Sequence, residues 1–237
     1  MKRILISLLL VISLAFGGFY IYVSDYYHAD VESVEAFLSG SDVEKRELGD
    51  GSLAYIPAEY KIGVVFYPGG KVDYAAYEPL MRALAERGVI AVLVKMPCNL
   101  AVLKPGAADG ITDQFANVEK WYMAGHSLGG SMAASYVSKH ADRFEGLIML
   151  AAYSTADLKP SGVRVASIYG SCDGVMSREK YSKYKENLPS DFSEVIIEGG
   201  NHAFFGMYGH QKNDGEATVT NAEQIELTAD VIAKFVN

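Results

Sequence analysis

The sequence predicts a doubly wound α/β fold, a mostly parallel sheet flanked by helices on both faces. Three observations carry that expectation. Short, wholly apolar runs recur at residues 62–67, 89–94, 121–124 and 146–152, and residues 163–169 read as a further strand with Arg164 and Ser167 as its only polar residues. Strands that are apolar at every position are buried on both faces, which is the mark of parallel sheets. Amphipathic, helix-compatible segments alternate with these runs, as crossover connections require. Finally, the turn Gly125-His126-Ser127-Leu128-Gly129 stands between one such strand and the small-residue helical segment 130–137.

The remaining elements follow in chain order. Met1-Lys2-Arg3 precedes residues 4–23, which carry no charge, and Ser24-Asp25 closes the run. A bilayer span takes about 20 apolar residues, and Lys2-Arg3 would hold its start in the cytoplasm. Ala15-Phe16-Gly17 also offers the small-x-small pattern of a signal-peptidase site. Residues 1–25 are therefore expected to be a transmembrane anchor or a signal segment, and 26–237 a single folded domain outside the cytoplasm. The first cysteine is Cys98, which excludes a lipoprotein.

Residues 26–38 read as a linker entering a short helix with Val31, Val34, Phe37 and Leu38 on its apolar face. Residues 47–56 read as a hairpin turned at Gly49-Asp50-Gly51. Residues 77–87 form a helix capped by Gly88. A short helical segment is expected at 106–115, a strand at 193–198 and a last helix at 222–235. Half of the 237 residues are hydrophobic and 21% are charged, enough for one large core. The net charge of −8 argues against nucleic acid and against adhesion to anionic lipid surfaces.

The chemistry follows from the Gly125–Gly129 turn. A G-x-S-x-G elbow holds its serine at strained dihedrals with the hydroxyl exposed, and its glycines let neighbouring backbone pass close. In open α/β sheets, functional groups gather at the carboxyl ends of the strands. The strand at 163–169 exits into Gly170-Ser171-Cys172-Asp173-Gly174, and that at 193–198 into Gly199-Gly200-Asn201-His202. Ser127, Asp173 and His202 thus occur in the order nucleophile, acid, base of an acyl-transfer triad. Asp157 is the reserve acid, and His140 and His210 are reserve bases. His126 is expected to point away from Ser127 as structural support. An oxyanion hole needs two backbone N–H groups. Leu128 offers one, and Gly70 or Lys71, in Pro68-Gly69-Gly70-Lys71, the other.

These residues carry a resemblance. The chain from about residue 26 onward resembles the α/β-hydrolase fold-5 group of bacterial serine hydrolases, relatives of the dienelactone-hydrolase-like enzymes. The matching stretches are Phe66-Tyr67-Pro68-Gly69-Gly70-Lys71-Val72-Asp73, Val94-Lys95-Met96-Pro97 with Asn99-Leu100-Ala101-Val102, and Gly125 to Gly130. Tyr169-Gly170-Ser171 with Asp173-Gly174, and Glu198-Gly199-Gly200-Asn201-His202 with Gly209, Gln211 and Asp214-Gly215, extend it. The resemblance implies the α/β-hydrolase fold and the same Ser127, Asp173, His202 triad. Dienelactone hydrolases use a cysteine nucleophile, so their lactone substrate is not carried over to a chain with Ser127.

About ten residues separate Tyr153 from Val163, too few for a large cap domain. The remaining cover is the segment after His202, whose Phe204, Phe205, Met207 and Tyr208 either line an acyl pocket or pack over the sheet end. Residues 95–100 are a further candidate wall. Cys98 and Cys172 follow strands expected to lie apart and are read as free, partly buried thiols. No zinc-type spacing links the five histidines and two cysteines, and the mechanism requires no cofactor. The expected activity is hydrolysis of short-to-medium acyl esters, a small-molecule substrate, through an acyl-enzyme. The alternatives are a lipase, lysophospholipase or acyltransferase at the membrane surface, or a non-catalytic binding protein that keeps the fold. The domain is expected to be tethered outside the cytoplasm, or secreted if the leader is cleaved.

Overall fold

A computed structural model describes residues 2–237. The charge-free run forms α1 (Lys2–Ser24), followed by α2 (Val31–Leu38), whose N-terminus is capped by the Asp30 side chain on the Ser33 N–H. Eight strands then build one sheet: β1 (Glu44–Glu47), β2 (Leu53–Ile56), β3 (Ile62–Tyr67), β4 (Val89–Leu93), β5 (Lys120–His126), β6 (Gly146–Leu150), β7 (Arg164–Gly170) and β8 (Ser193–Ile197). Their spatial order is β1-β2-β4-β3-β5-β6-β7-β8. From β4 to β8 every pairing is parallel; β1 and β2 form the expected hairpin and join β4 antiparallel.

The helices are α3 (Glu78–Ala85), α4 (Leu128–Val137), α5 (Arg178–Tyr184) and α6 (Asn221–Val236). Successive strand residues point to opposite faces, and both faces are covered. Val64, Phe66, Tyr122 and Ala124 pack with Leu80, Leu84, Ile225 and Ile232 of α3 and α6. Val65, Tyr67, Trp121 and Met123 pack with Ala133, Ala134 and Val137 of α4 on the other side. Two-sided burial is the reason that these strands read as unbroken apolar runs. The edge strand β8 is mostly exposed, which fits its polar first residues Ser193 and Glu194.

Three local expectations change. Residues 106–115 form turns and one 3₁₀ turn, Thr112–Gln114, because Gly106 and Gly110 interrupt any longer helix. Helix α5, unread in the sequence, starts at Ser177, whose side chain accepts from Lys180 N–H. Its exposed, charged surface carries little periodicity; Tyr181 is its one buried residue. Cys98 and Cys172 are free, but Cys98 is exposed rather than partly buried. Between β6 and β7 stands only a 3₁₀ turn, Lys159–Ser161, so no large cap covers the sheet.

Candidate active site

The site assembles at the carboxyl ends of β3, β5, β7 and β8. Ser127 sits between β5 and α4 at φ 51° and ψ −119°, the left-handed strained geometry of a tight strand-to-helix turn. Its neighbours permit this. A Cβ at Gly129 would meet the Tyr67 and Pro68 carbonyl oxygens at 2.2 Å, and one at Gly125 would meet the Gly129 carbonyl carbon at 2.6 Å. Glycine at both positions lets the elbow press against β3.

His202 and Asp173 are brought together. His202 Nδ1–H donates to Asp173 Oδ2 at 2.9 Å, with both side chains almost wholly buried. The other carboxylate oxygen accepts the N–H groups of Val175 and Met176 at 2.9 and 2.8 Å. Burial pushes the Asp173 carboxyl up, but the His202 and backbone hydrogen bonds outweigh it and hold the pKa below its ordinary value. With Nδ1 committed to Asp173, Nε2 is the nitrogen left for Ser127. Ser127 and His202 line one pocket of about 310 Å³.

Of the two roles open to it, the segment after His202 takes packing over the sheet end, and other residues form the pocket walls. Tyr153, Val175, Met176 and Lys180 line the pocket, from the loops after β6 and β7 and from α5. Phe205, Met207 and Tyr208 are buried beneath the sheet end instead, packed with Tyr77. Residues 95–100 do not reach the pocket. The reserve residues lie elsewhere. Asp157 is exposed and accepts Lys159 N–H, His140 stacks on Tyr136 at the far end of α4, and His210 is exposed.

Among the oxyanion candidates, Leu128 opens α4, where a first-turn N–H has no intrahelical acceptor. The Lys71 N–H donates to Asn99 O at 2.8 Å and is committed there. The Gly70 N–H has no protein acceptor among the described residues. A Cβ on Gly70 would meet Leu128 Cδ2 at 2.6 Å, so these two residues are in close contact.

Two supporting groups escaped sequence reasoning. Asp214 accepts from the N–H groups of Gly174, His202 and Ala203 at 3.1, 3.2 and 2.8 Å, pinning the acid loop to the base loop. The Asp214-Gly215 pair was visible in the chain, but its partners lie far away in sequence. Tyr77 Oη accepts from Gly69 N–H at 3.2 Å and bonds His126 Nδ1 at 2.8 Å. His126 does support the site: its ring packs on that of His202, with centroids 4.6 Å apart.

His126 Nε2 is buried with no partner among the described residues. Burial, aided by the neighbouring His202, lowers its pKa well below 6.5. The unfolded chain therefore gains a proton below pH 6.5 that the folded site refuses. Stability is unaffected by this group above pH 6.5 and falls by up to about 1.4 kcal/mol per pH unit below it, until the folded site itself protonates. Urea denaturation of wild type and His126→Asn at pH 7.5 and 5.5 measures this. The wild type is expected to lose more stability between the two conditions than the variant, and equal losses would refute the assignment.

Comparison with known proteins sets this geometry among its relatives. A model of the alpha/beta hydrolase family matches residues 63–226. No curated protein matches the chain in sequence. Among solved structures, Est1E from Butyrivibrio proteoclasticus is 16% identical, with a TM-score of 0.55 over 82% of this chain and 97% of its own. The dienelactone hydrolase from Anabaena variabilis is 14% identical, with a TM-score of 0.60 over 82% and 97%. A membrane phospholipase A, a bacterial virulence factor, is 16% identical, with a TM-score of 0.59 over 99% and 98%. At these identities the likeness is one of fold.

Proposed function

The chain belongs to the alpha/beta hydrolase family, and on that premise we propose that it is a serine carboxylesterase acting through Ser127, Asp173 and His202. The observation that carries the reading is one pocket lined by a strained, hydroxyl-bearing elbow residue and a histidine bonded to a buried carboxylate. His202 Nε2 takes the Ser127 proton as Oγ attacks the acyl carbon, then gives it to the departing alkoxide. Asp173 holds the tautomer that leaves Nε2 unprotonated and stabilises the imidazolium as it forms. The Leu128 and Gly70 amides receive the developing oxyanion; Gly70 is preferred because the Lys71 amide is already bonded. Water then attacks the acyl-enzyme by the reverse proton route. No step calls for a metal or cofactor.

A pocket of about 310 Å³ without a large cap suits short-to-medium acyl chains. The second reading is a lipase or lysophospholipase. It is favoured by α1, whose segment Ile6–Ser24 has a mean hydropathy of 2.2 and no burial in the protein. The likeness to a membrane phospholipase A along nearly the whole chain favours it too. We read α1 as an anchor that tethers the domain outside the cytoplasm.

The test is labelling of the full-length protein by a fluorophosphonate, followed by a p-nitrophenyl ester series of increasing chain length. Labelling with turnover of the shorter esters is expected. A folded protein that neither labels nor turns over any ester would leave the fold serving a non-catalytic binding role.

A further inference from the structure

The join between α1 and the domain lies at the candidate oxyanion loop. Helix α1 ends at Ser24, and only Asp25 and Tyr26 intervene before the chain is fixed. Tyr27 N–H donates to Lys71 O at 2.8 Å, and Asp73 N–H donates to Tyr27 O at 2.8 Å. Lys212 N–H donates to Tyr27 Oη at 3.2 Å, and Asp30 N–H to Met207 O at 2.8 Å. The Lys71 ammonium closes the join, 3.0 Å from Asp25 Oδ2 and 4.6 Å from the centre of the Tyr22 ring within α1. The three steps from Ser24 to Tyr27 span at most about 11 Å. The end of the apolar helix and the loop bearing Gly70 are therefore held as neighbours, without a free linker between them.

The adjoining rim is apolar. The end of helix α1 comes close to the turn Pro97–Asn99, and the next turn, Ala101–Leu103, lies close to α4. Val102 and Leu103 project from that turn at 45% and 46% exposure, followed by the exposed Lys104, whose ammonium lies 3.8 Å from Asp50. Isolated apolar side chains on a surface are ordinary. An exposed apolar pair with a lysine next to it, beside a bare apolar helix, is the composition of a surface lying at the headgroup level of a bilayer. Tyr20 and Tyr22 near the end of α1 suit the same depth.

We propose that this edge of the domain rests on the membrane, with Val102 and Leu103 dipping into it, and that the enzyme draws its esters from the bilayer. The substrate class is an acyl ester of an amphiphilic lipid. The proposal rests on the esterase reading of Ser127 and adds where the substrate comes from. Ser127 Oγ bonds to the lipid acyl carbon, the carbon–oxygen bond to the alcohol breaks, and that alcohol leaves with the proton held by His202. Water then releases a free fatty acid. Attachment comes from the helix and the apolar tips rather than from charge, consistent with a net charge of −8.

The experiment places the full-length protein in phosphatidylcholine vesicles containing lysophosphatidylcholine and follows fatty-acid release. p-Nitrophenyl butyrate in the surrounding buffer is assayed in parallel, for wild type and the double variant Val102→Asp, Leu103→Asp. Both positions are exposed, so the variant is expected to fold. The wild type is expected to hydrolyse both esters. The variant should release fatty acid at least about fivefold more slowly while keeping the soluble-ester rate within about twofold. Unchanged lipid turnover in the variant, or equal loss on both esters, would overturn the membrane-edge proposal. So would a wild type active on the soluble ester alone. A wild type inactive on both would instead overturn the esterase reading beneath it.

Discussion

Ser127→Ala is expected to lower kcat for a soluble ester by roughly a million-fold, with KM and thermal stability nearly unchanged. The reason lies in what the hydroxyl does and does not touch. Ser127 makes a backbone hydrogen bond through its N–H to Leu150 O at 2.9 Å, but its side chain takes part in none of the protein hydrogen bonds among the described residues. Alanine keeps the Cβ and thus inherits the same cost of φ 51°. Nothing in the packing notices the exchange. The reaction does, because the other two serines lining the pocket are engaged: Ser131 donates its hydroxyl to Tyr153 O at 2.8 Å, and the Ser177 hydroxyl accepts Lys180 N–H at 3.2 Å to cap α5. Residual turnover would come only from oxyanion stabilisation and substrate binding. Ester kinetics with a melting curve decide the matter. A folded variant that retains even a tenth of wild-type kcat would remove Ser127 from the mechanism.

The fold and two of the three candidate catalytic residues, Ser127 and Asp173, were legible for the same physical reason. Two-sided burial imposes unbroken apolar runs on β3, β4, the body of β5 and β6, and a mostly apolar one on β7, and each run stops where the backbone must turn. Ser127 and Asp173, at the exits of β5 and β7, are therefore marked by position as well as by type, while His202 is marked by the Gly199-Gly200 turn that ends the exposed edge strand β8. The Gly125-x-Ser127-x-Gly129 spacing also encodes a close approach of backbones, which the Gly129 contact with Tyr67 O and Pro68 O makes explicit.

What could not be read was set by contacts between distant segments. Tyr77 has the composition of any core aromatic, and only the fold brings its hydroxyl to Gly69 and His126. Asp214 looks like a turn residue until its carboxylate is seen to hold Gly174, His202 and Ala203. The sequence left the aromatic segment after His202 between two roles, because aromatic content alone does not separate burial from exposure to a ligand. Phe205 and Tyr208 pack inward, while the residues that do line the pocket, Val175 and Met176, occupy an unpatterned loop fixed by Asp173 itself. The segment 25–30 carries no periodic pattern either, since its order comes from Lys71, Asp73 and Met207.

Asp173→Asn carries the second large effect, a fall in kcat of about 10⁴-fold in a protein that remains folded. In the wild type one carboxylate oxygen accepts from Val175 and Met176 N–H, and the other from His202 Nδ1–H. Asparagine has one acceptor oxygen and one NH₂ donor. Leaving the two backbone N–H groups unpaired in a buried site would cost about 1–3 kcal/mol each, so the amide oxygen stays with them and the NH₂ turns toward His202. Nδ1 must then accept, which puts the imidazole proton on Nε2, facing Ser127. A protonated Nε2 cannot take the serine proton, and attack stalls with the geometry intact. Asp173→Ala would confuse this test, because it orphans the loop N–H groups as well. Asp157→Asn is the matched control: its carboxylate is exposed and bonds only Lys159 N–H, so wild-type rates are expected. Fast turnover by Asp173→Asn together with loss in Asp157→Asn would transfer the acid's role to the β6–β7 loop. Slow turnover by Asp173→Asn alone, with an unshifted urea midpoint, would tie the rate to the tautomer of His202 rather than to the stability of the loop.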